Sequence, residues 1–213
     1  MLDYFSAFSI LVPLSAALYT YRKLMREMKL LAWLFVFGTV VESFNFIEFS
    51  QHRNNLWIVN IYTLLEGVVY FNLCARWMYS PRLFRLGMQL FIIYVLYWIF
   101  TTFISGSFLQ FNSNEKVLKG IFLIGLSGYA LIHLSREDAI MLTEDYRFWI
   151  LSGILIYFSI TEVVFATSNF ILDKNEPALR TIWAIHSVIN ILSNLLFAIG
   201  FVCNYRRPSF FTW

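Results

Sequence analysis

The chain has 213 residues, of which 59% are apolar, 20% aromatic and only 14% charged. A soluble domain carries about 25% charged residues, so the composition excludes an ordinary soluble fold and points to lipid as solvent. The net charge of +3 is modest and its basic residues sit in short connections, which excludes a nucleic-acid surface.

A spanning helix needs about 20 mainly apolar residues. Seven segments reach that length, at 4–21, 30–51, 56–76, 87–105, 117–135, 147–170 and 181–204. They predict an all-α integral membrane protein in which 1–213 form a single seven-helix transmembrane domain. The first segment follows Asp3 and precedes a basic cluster, which suits a first span entering from outside. Ser15-Ala16-Ala17 resembles a weak cleavage site, and use of it would leave six helices.

The connections after helices one, three and five, with the tail, hold Arg22, Lys23, Arg26, Lys29, Arg76, Arg82, Arg85, Arg136, Arg147, Arg206 and Arg207. The opposite side holds Arg53, Lys116, Lys119, Lys174 and Arg180, so the division is 11 against 5. Positive residues collect in the cytoplasm, which predicts a multi-pass protein of the cytoplasmic (inner) membrane with its N-terminus outside. Trp57, Trp77, Trp149 and Trp183 fall near helix ends, as interfacial anchors do. Cys74 and Cys203 lie near cytoplasmic ends, where a reducing compartment makes them packing residues. The mixed-charge stretch 136–147 reads as a solvated loop, with a short surface helix that docks a partner as the alternative.

An internal repeat is visible. Residues 11–18 read LVPLSAAL and 123–130 read LIGLSGYA, an offset of 112. Glu42 then aligns with Glu162 and Trp57 with Trp183, at offsets of 120 and 126. This predicts a 3+1+3 parallel repeat, three helices, a linker and three more. That arrangement is similar to rhodopsins and the SWEET transporters. Three stretches carry a closer resemblance: 60–66 (NIYTLLE), Phe148-Trp149 through Gly153 to Tyr157-Phe158, and Ile185-His186-Ser187 through Asn190 and Asn194 to Phe201. They resemble a widespread family of functionally unassigned bacterial seven-helix membrane proteins. The resemblance implies the fold and directs attention to helices three and seven. It implies no reaction, and members often carry Asn where this chain has His186.

Ionisable groups at membrane depth cost about 2.5–3.5 kcal/mol each on insertion scales and are functional candidates for that reason. Glu42, Glu66 and Glu162 qualify; no Lys or Arg is expected at their depth, and all five lysines are expected outside the helix cores. Unpaired carboxylates there would be protonated, bonded to amides or bound to a cation. In helix seven, His186, Asn190 and Asn194 recur at four-residue spacing and share one face. They form either one wall of a hydrophilic cavity or a packing seam. Tyr62 and Glu66 share a face of helix three, with Asn60 on an adjacent one; Glu42 and Asn45 are neighbours on helix two.

These residues predict a polar pocket that opens outward and takes a small solute or cation, in a transporter. A sensor that signals to a separate cytoplasmic partner is the alternative, and a metal-dependent intramembrane hydrolase a second one. Catalytic residues are not indicated, no cofactor is, and a homo-oligomer is left open. A retinal Schiff base lacks its helix-seven lysine, a His-x-x-x-His zinc pair is interrupted by Asn190, and no Ser-His-acid or phosphate-loop pattern occurs.

Overall fold

The structure is a computed structural model that describes residues 2–50, 55–78, 80–104, 113–136, 141–171 and 176–206. Residues 51–54, 172–175 and 207–213 lie outside it, and with them Arg53, Lys174 and Arg207 of the charge count. The seven helices are α1 (Leu2–Lys23), α2 (Arg26–Ser50), α3 (Leu56–Arg76), α4 (Pro81–Ile99), α5 (Ser113–Leu134), α6 (Tyr146–Ile171) and α7 (Glu176–Arg206). Each contains a stretch long and apolar enough to cross a membrane, and no strand occurs among the described residues.

Local chemistry sets the ends and breaks. Helix α1 is interrupted at Ile10, because Pro13 has no N–H to give the carbonyl of Ser9. Pro81 starts α4 six residues before the expected 87, as proline suits a first turn whose N–H groups need no partner. A π-helical turn, Phe100–Ile104, extends that helix. Asp145 caps α6 by accepting the backbone N–H of Arg147 at 2.8 Å.

The helices pack as a ring in chain order, α1 on α2, α2 on α3, and so on to α7, which closes against α1. Helix α4 sits outside, because α3 also touches α5 directly. Near the end that carries Arg22 and Arg206 lies a mainly apolar core. Met28, Leu31, Leu73, Met78, Ile150 and Phe201 are all buried there. Trp77 belongs to this core, edge-on to Tyr146 at 5.9 Å, so it is not an interfacial anchor. The loop reading of 136–147 is likewise corrected at its end. Asp145 and Arg147 are buried as a bidentate pair with contacts of 2.6–3.0 Å, while 137–140 lie outside the described residues.

Above this core lies a layer of aromatic rings from four helices. Phe197 of α7 meets Phe35 of α2 at 5.4 Å and stacks on Tyr70 of α3 at 6.1 Å. Tyr70 in turn meets Phe158 of α6 edge-on at 5.8 Å. Gly153 makes room for Phe197, since a Cβ there would stand 2.9 Å from its ring. This layer floors the cavities described next. The outward faces carry exposed Phe5, Phe8, Leu18, Phe103 and Ile104, a surface suited to hydrocarbon.

Candidate functional site

Two cavities, about 120 and 370 Å³, occupy the half of the bundle that holds Leu2, Leu56 and Ser113. Both are lined by Glu42, Tyr62, Glu66, Tyr157 and His186. The smaller adds Asn190 and Asn194, and its floor is Phe35, Tyr70 and Phe197. The larger adds Asn45, Thr63, Thr161, Glu162, Trp183, Lys116 and Lys119. Eight of the nine site residues read from the sequence therefore face these spaces. Asn60 is buried in α3 and lines neither.

The largest correction concerns lysine. Helix α5 begins four residues before the expected 117 and takes in Lys116, and both Lys116 and Lys119 turn inward, 6% and 3% exposed. Lys119 Nζ donates to Glu66 Oε2 at 2.5 Å and lies 5.3 Å from the ring centroid of Phe158. A lysine near a helix end ordinarily extends toward water. Here the four-carbon stem turns inward, and the ammonium meets a carboxylate ten residues into α3. Glu66 is thus an ion-paired residue rather than a solitary acid.

One turn earlier on α5, Glu115 is 1% exposed. The Tyr94 hydroxyl of α4 lies 3.1 Å from its Oε1 and 3.3 Å from the carbonyl of Thr63. Gly67 admits that ring, since a Cβ there would stand 2.7 Å from Tyr94 Cε1. Glu162 differs from both. It is 7% exposed and its carboxyl fills the space over Gly120, where a Cβ would overlap it. Neither of its oxygens has a hydrogen-bond partner among the described residues. Glu42 is more open than Glu66 or Glu162 and lies at the gap between α1 and α2.

On α7 the two readings of the polar stripe are combined. Asn190 Nδ2 donates to the Ser6 hydroxyl at 3.0 Å and to its carbonyl at 3.2 Å; Asn194 Nδ2 donates to the Ser9 hydroxyl at 2.7 Å. The Ser187 hydroxyl donates to Asp3 at 2.9 Å. The stripe therefore ties α7 to α1 while its edge borders the smaller cavity. His186 rests against Trp183 and Tyr157, with ring centroids 5.4 and 6.1 Å away. Asn45 accepts from the Asn55 amide at 3.1 Å, which links α2 to the start of α3.

The residues that the sequence reading missed are Glu115, Lys116, Lys119 and Tyr94. Their signal was the Glu115-x-x-x-Lys119 spacing, which puts an acid and a base on one helical face. Among the described residues no group of three His, Cys, Asp or Glu side chains is disposed to hold a metal ion.

Seven helices long and apolar enough to cross a membrane fit a polytopic α-helical membrane protein, and an ionic cluster occupies one half of the bundle. No protein-family model, curated protein or solved structure matches the chain.

Proposed function

We propose that the protein is a carrier for a solute with a cationic amine, and that the two cavities hold this group. The observation that carries the reading is the charge balance around the larger cavity. Three carboxylates, Glu42, Glu66 and Glu162, face two ammonium groups, Lys116 and Lys119. Lys119 is spent on Glu66, and Glu162 keeps two buried oxygens with no hydrogen-bond donor among the described residues. Burying a carboxylate without a partner is costly, and an alkylammonium would supply both charge and donors. Tyr157, Tyr62 and Trp183 add aromatic faces that favour cations. The larger cavity falls at the lower end of the range for small-molecule sites, about 300–1,000 Å³.

The cavity half faces outward in this reading, with the N-terminus outside and the C-terminus in the cytoplasm of a bacterial inner membrane. Burial of Lys116 and Lys119 supports it, for it leaves three basic residues on the outer side; removing paired Arg147 leaves ten on the inner. The parallel repeat belongs to the same proposal, as does kinship with the bacterial seven-helix family carried by residues 60–66 and the stripe of α7. The aromatic floor would be the element that parts when solute passes.

Uptake of isotope-labelled ethanolamine and ethylamine into proteoliposomes tests this. Wild-type protein should take up at least one of them, and Glu162→Gln should reduce uptake about tenfold, as expected for a lost charge-assisted hydrogen bond. Saturable binding without uptake would make the protein a receptor. Absence of both would contradict the reading.

A further inference from the structure

A third cavity, of about 330 Å³, lies between α1 and α2 on the outer flank of the bundle. Its walls are Phe8, Leu11, Phe46 and Ile47, all exposed on the apolar surface, with Thr39 and Ser43 between them. Both hydroxyls bond back to their own helix, Thr39 to the carbonyl of Phe35 and Ser43 to that of Thr39. Apart from the hydroxyl of Tyr4, the groove therefore offers a substrate little that is polar except at Glu42, the sole charged residue in its lining. Glu42 also lines both polar cavities, so it stands where the apolar groove and the ionic cluster meet. It lies eight residues, about 12 Å, from the Ser50 end of α2. Among the described residues no hydrogen bond or ion pair engages it.

We infer that the substrate is an amphiphile, an amine on an alkyl chain, which enters sideways from the bilayer between α1 and α2. The inference rests on the carrier reading and specifies its substrate class. The chain lies in the α1–α2 groove and the amine passes Glu42 into the cavity that holds Glu162. A chain gains little by leaving lipid for an equally apolar groove, so the groove supplies selection and the carboxylates supply the attraction. A lateral route also fits the position of Glu42.

The test uses full-length protein in nanodiscs and three diazirine-bearing probes of equal chain length: a fatty amine, a fatty alcohol and a fatty acid. The amine should crosslink to Phe8, Phe46 or Ile47 about tenfold more than the other two. Glu42→Gln should abolish that preference. Thr39→Trp, which fills the groove and keeps all three acids, should abolish fatty-amine labelling yet leave ethylamine binding unchanged. Equal labelling by all three probes would overturn the inference, as would a preference that survives both substitutions. Retained ethylamine binding would then keep the carrier reading intact, whereas loss of every amine would remove both. Size-exclusion profiles confirm that each variant is folded.

Discussion

Lys119 is the residue on which the interior depends most. The residue is 3% exposed, its ammonium pairs with Glu66, it shares a cavity with Glu42 and Glu162, and Glu115 lies one turn earlier on its own helix. Breaking a buried pair by removing one partner costs about 3–5 kcal/mol, because the other charge stays behind without compensation. The two halves of this pair are unequal. Glu66→Gln leaves Lys119 with acids nearby, whereas Lys119→Met leaves the acids with Lys116 alone. We therefore expect Lys119→Met to lose the full 3–5 kcal/mol in reversible unfolding from bicelles. Glu66→Gln should lose less, and the double variant should recover part of the Lys119→Met loss. Equal stability of all three proteins would show that the pair contributes nothing.

At the scale of the helix, glycines decide which acids can be buried. Gly120 on α5 is the notch that Glu162 of α6 fills, and even the Cγ of Glu162 would stand too close to an added methyl. Gly120→Ala should therefore lower folded yield, and Glu162→Ala in the same chain should restore it. Gly125 is one turn further on the same helix with nothing within 4 Å. There, Gly125→Ala should be neutral or gain about 0.5–1 kcal/mol from helix propensity. Thermal melts of the three variants and the wild type in one detergent check the comparison. A similar loss at both glycines would refute the notch.

The element scale also explains what the sequence made legible. Seven apolar stretches of spanning length needed no tertiary information, and Glu42, Glu66 and Glu162 were conspicuous because acids are costly in lipid. The starts of α4 and α5 were harder. Pro81 begins a helix that hydropathy delays to 87, and the polar run at 113–116 hides the first turn of α5. That small shift concealed Lys116, while Lys119, third residue of the expected segment, reads as reaching out of the core like other lysines near helix ends. No periodicity could show which way a lysine stem turns at a helix end, since the inward direction is set by acids on α3 and α6. Trp77 was misplaced for the same reason. Near-end position suggests the interface, and only packing against Tyr146 places it inside.

At the scale of the molecule, one half of the ring holds a mainly apolar core and the other encloses charged groups above a floor of Phe35, Tyr70, Phe158 and Phe197. Hydrogen bonds from Asn190 and Asn194 to Ser6 and Ser9 close the ring at α1, so the seam and the cavity wall are one structure. The account requires the inside of this ring to be wet and the outside to be lipid. Helix α7 offers both environments within one turn. His186 is half-buried beside the cavities, while Ile185 and Val188 are more exposed, at 48% and 52%, on the outer face.

The most direct measurement replaces each of these three by cysteine, in a Cys203→Ser background. Right-side-out vesicles are then treated with a membrane-impermeant cationic methanethiosulfonate. Cysteine in place of His186 should react, although it is the least exposed, because water and nearby carboxylates draw the reagent in. The Ile185→Cys and Val188→Cys proteins should stay unmodified, since lipid covers them and keeps their thiols protonated. Reaction at Ile185 or Val188 with silence at His186, or silence at all three in folded protein, would contradict a wet ionic cavity inside a lipid-facing bundle.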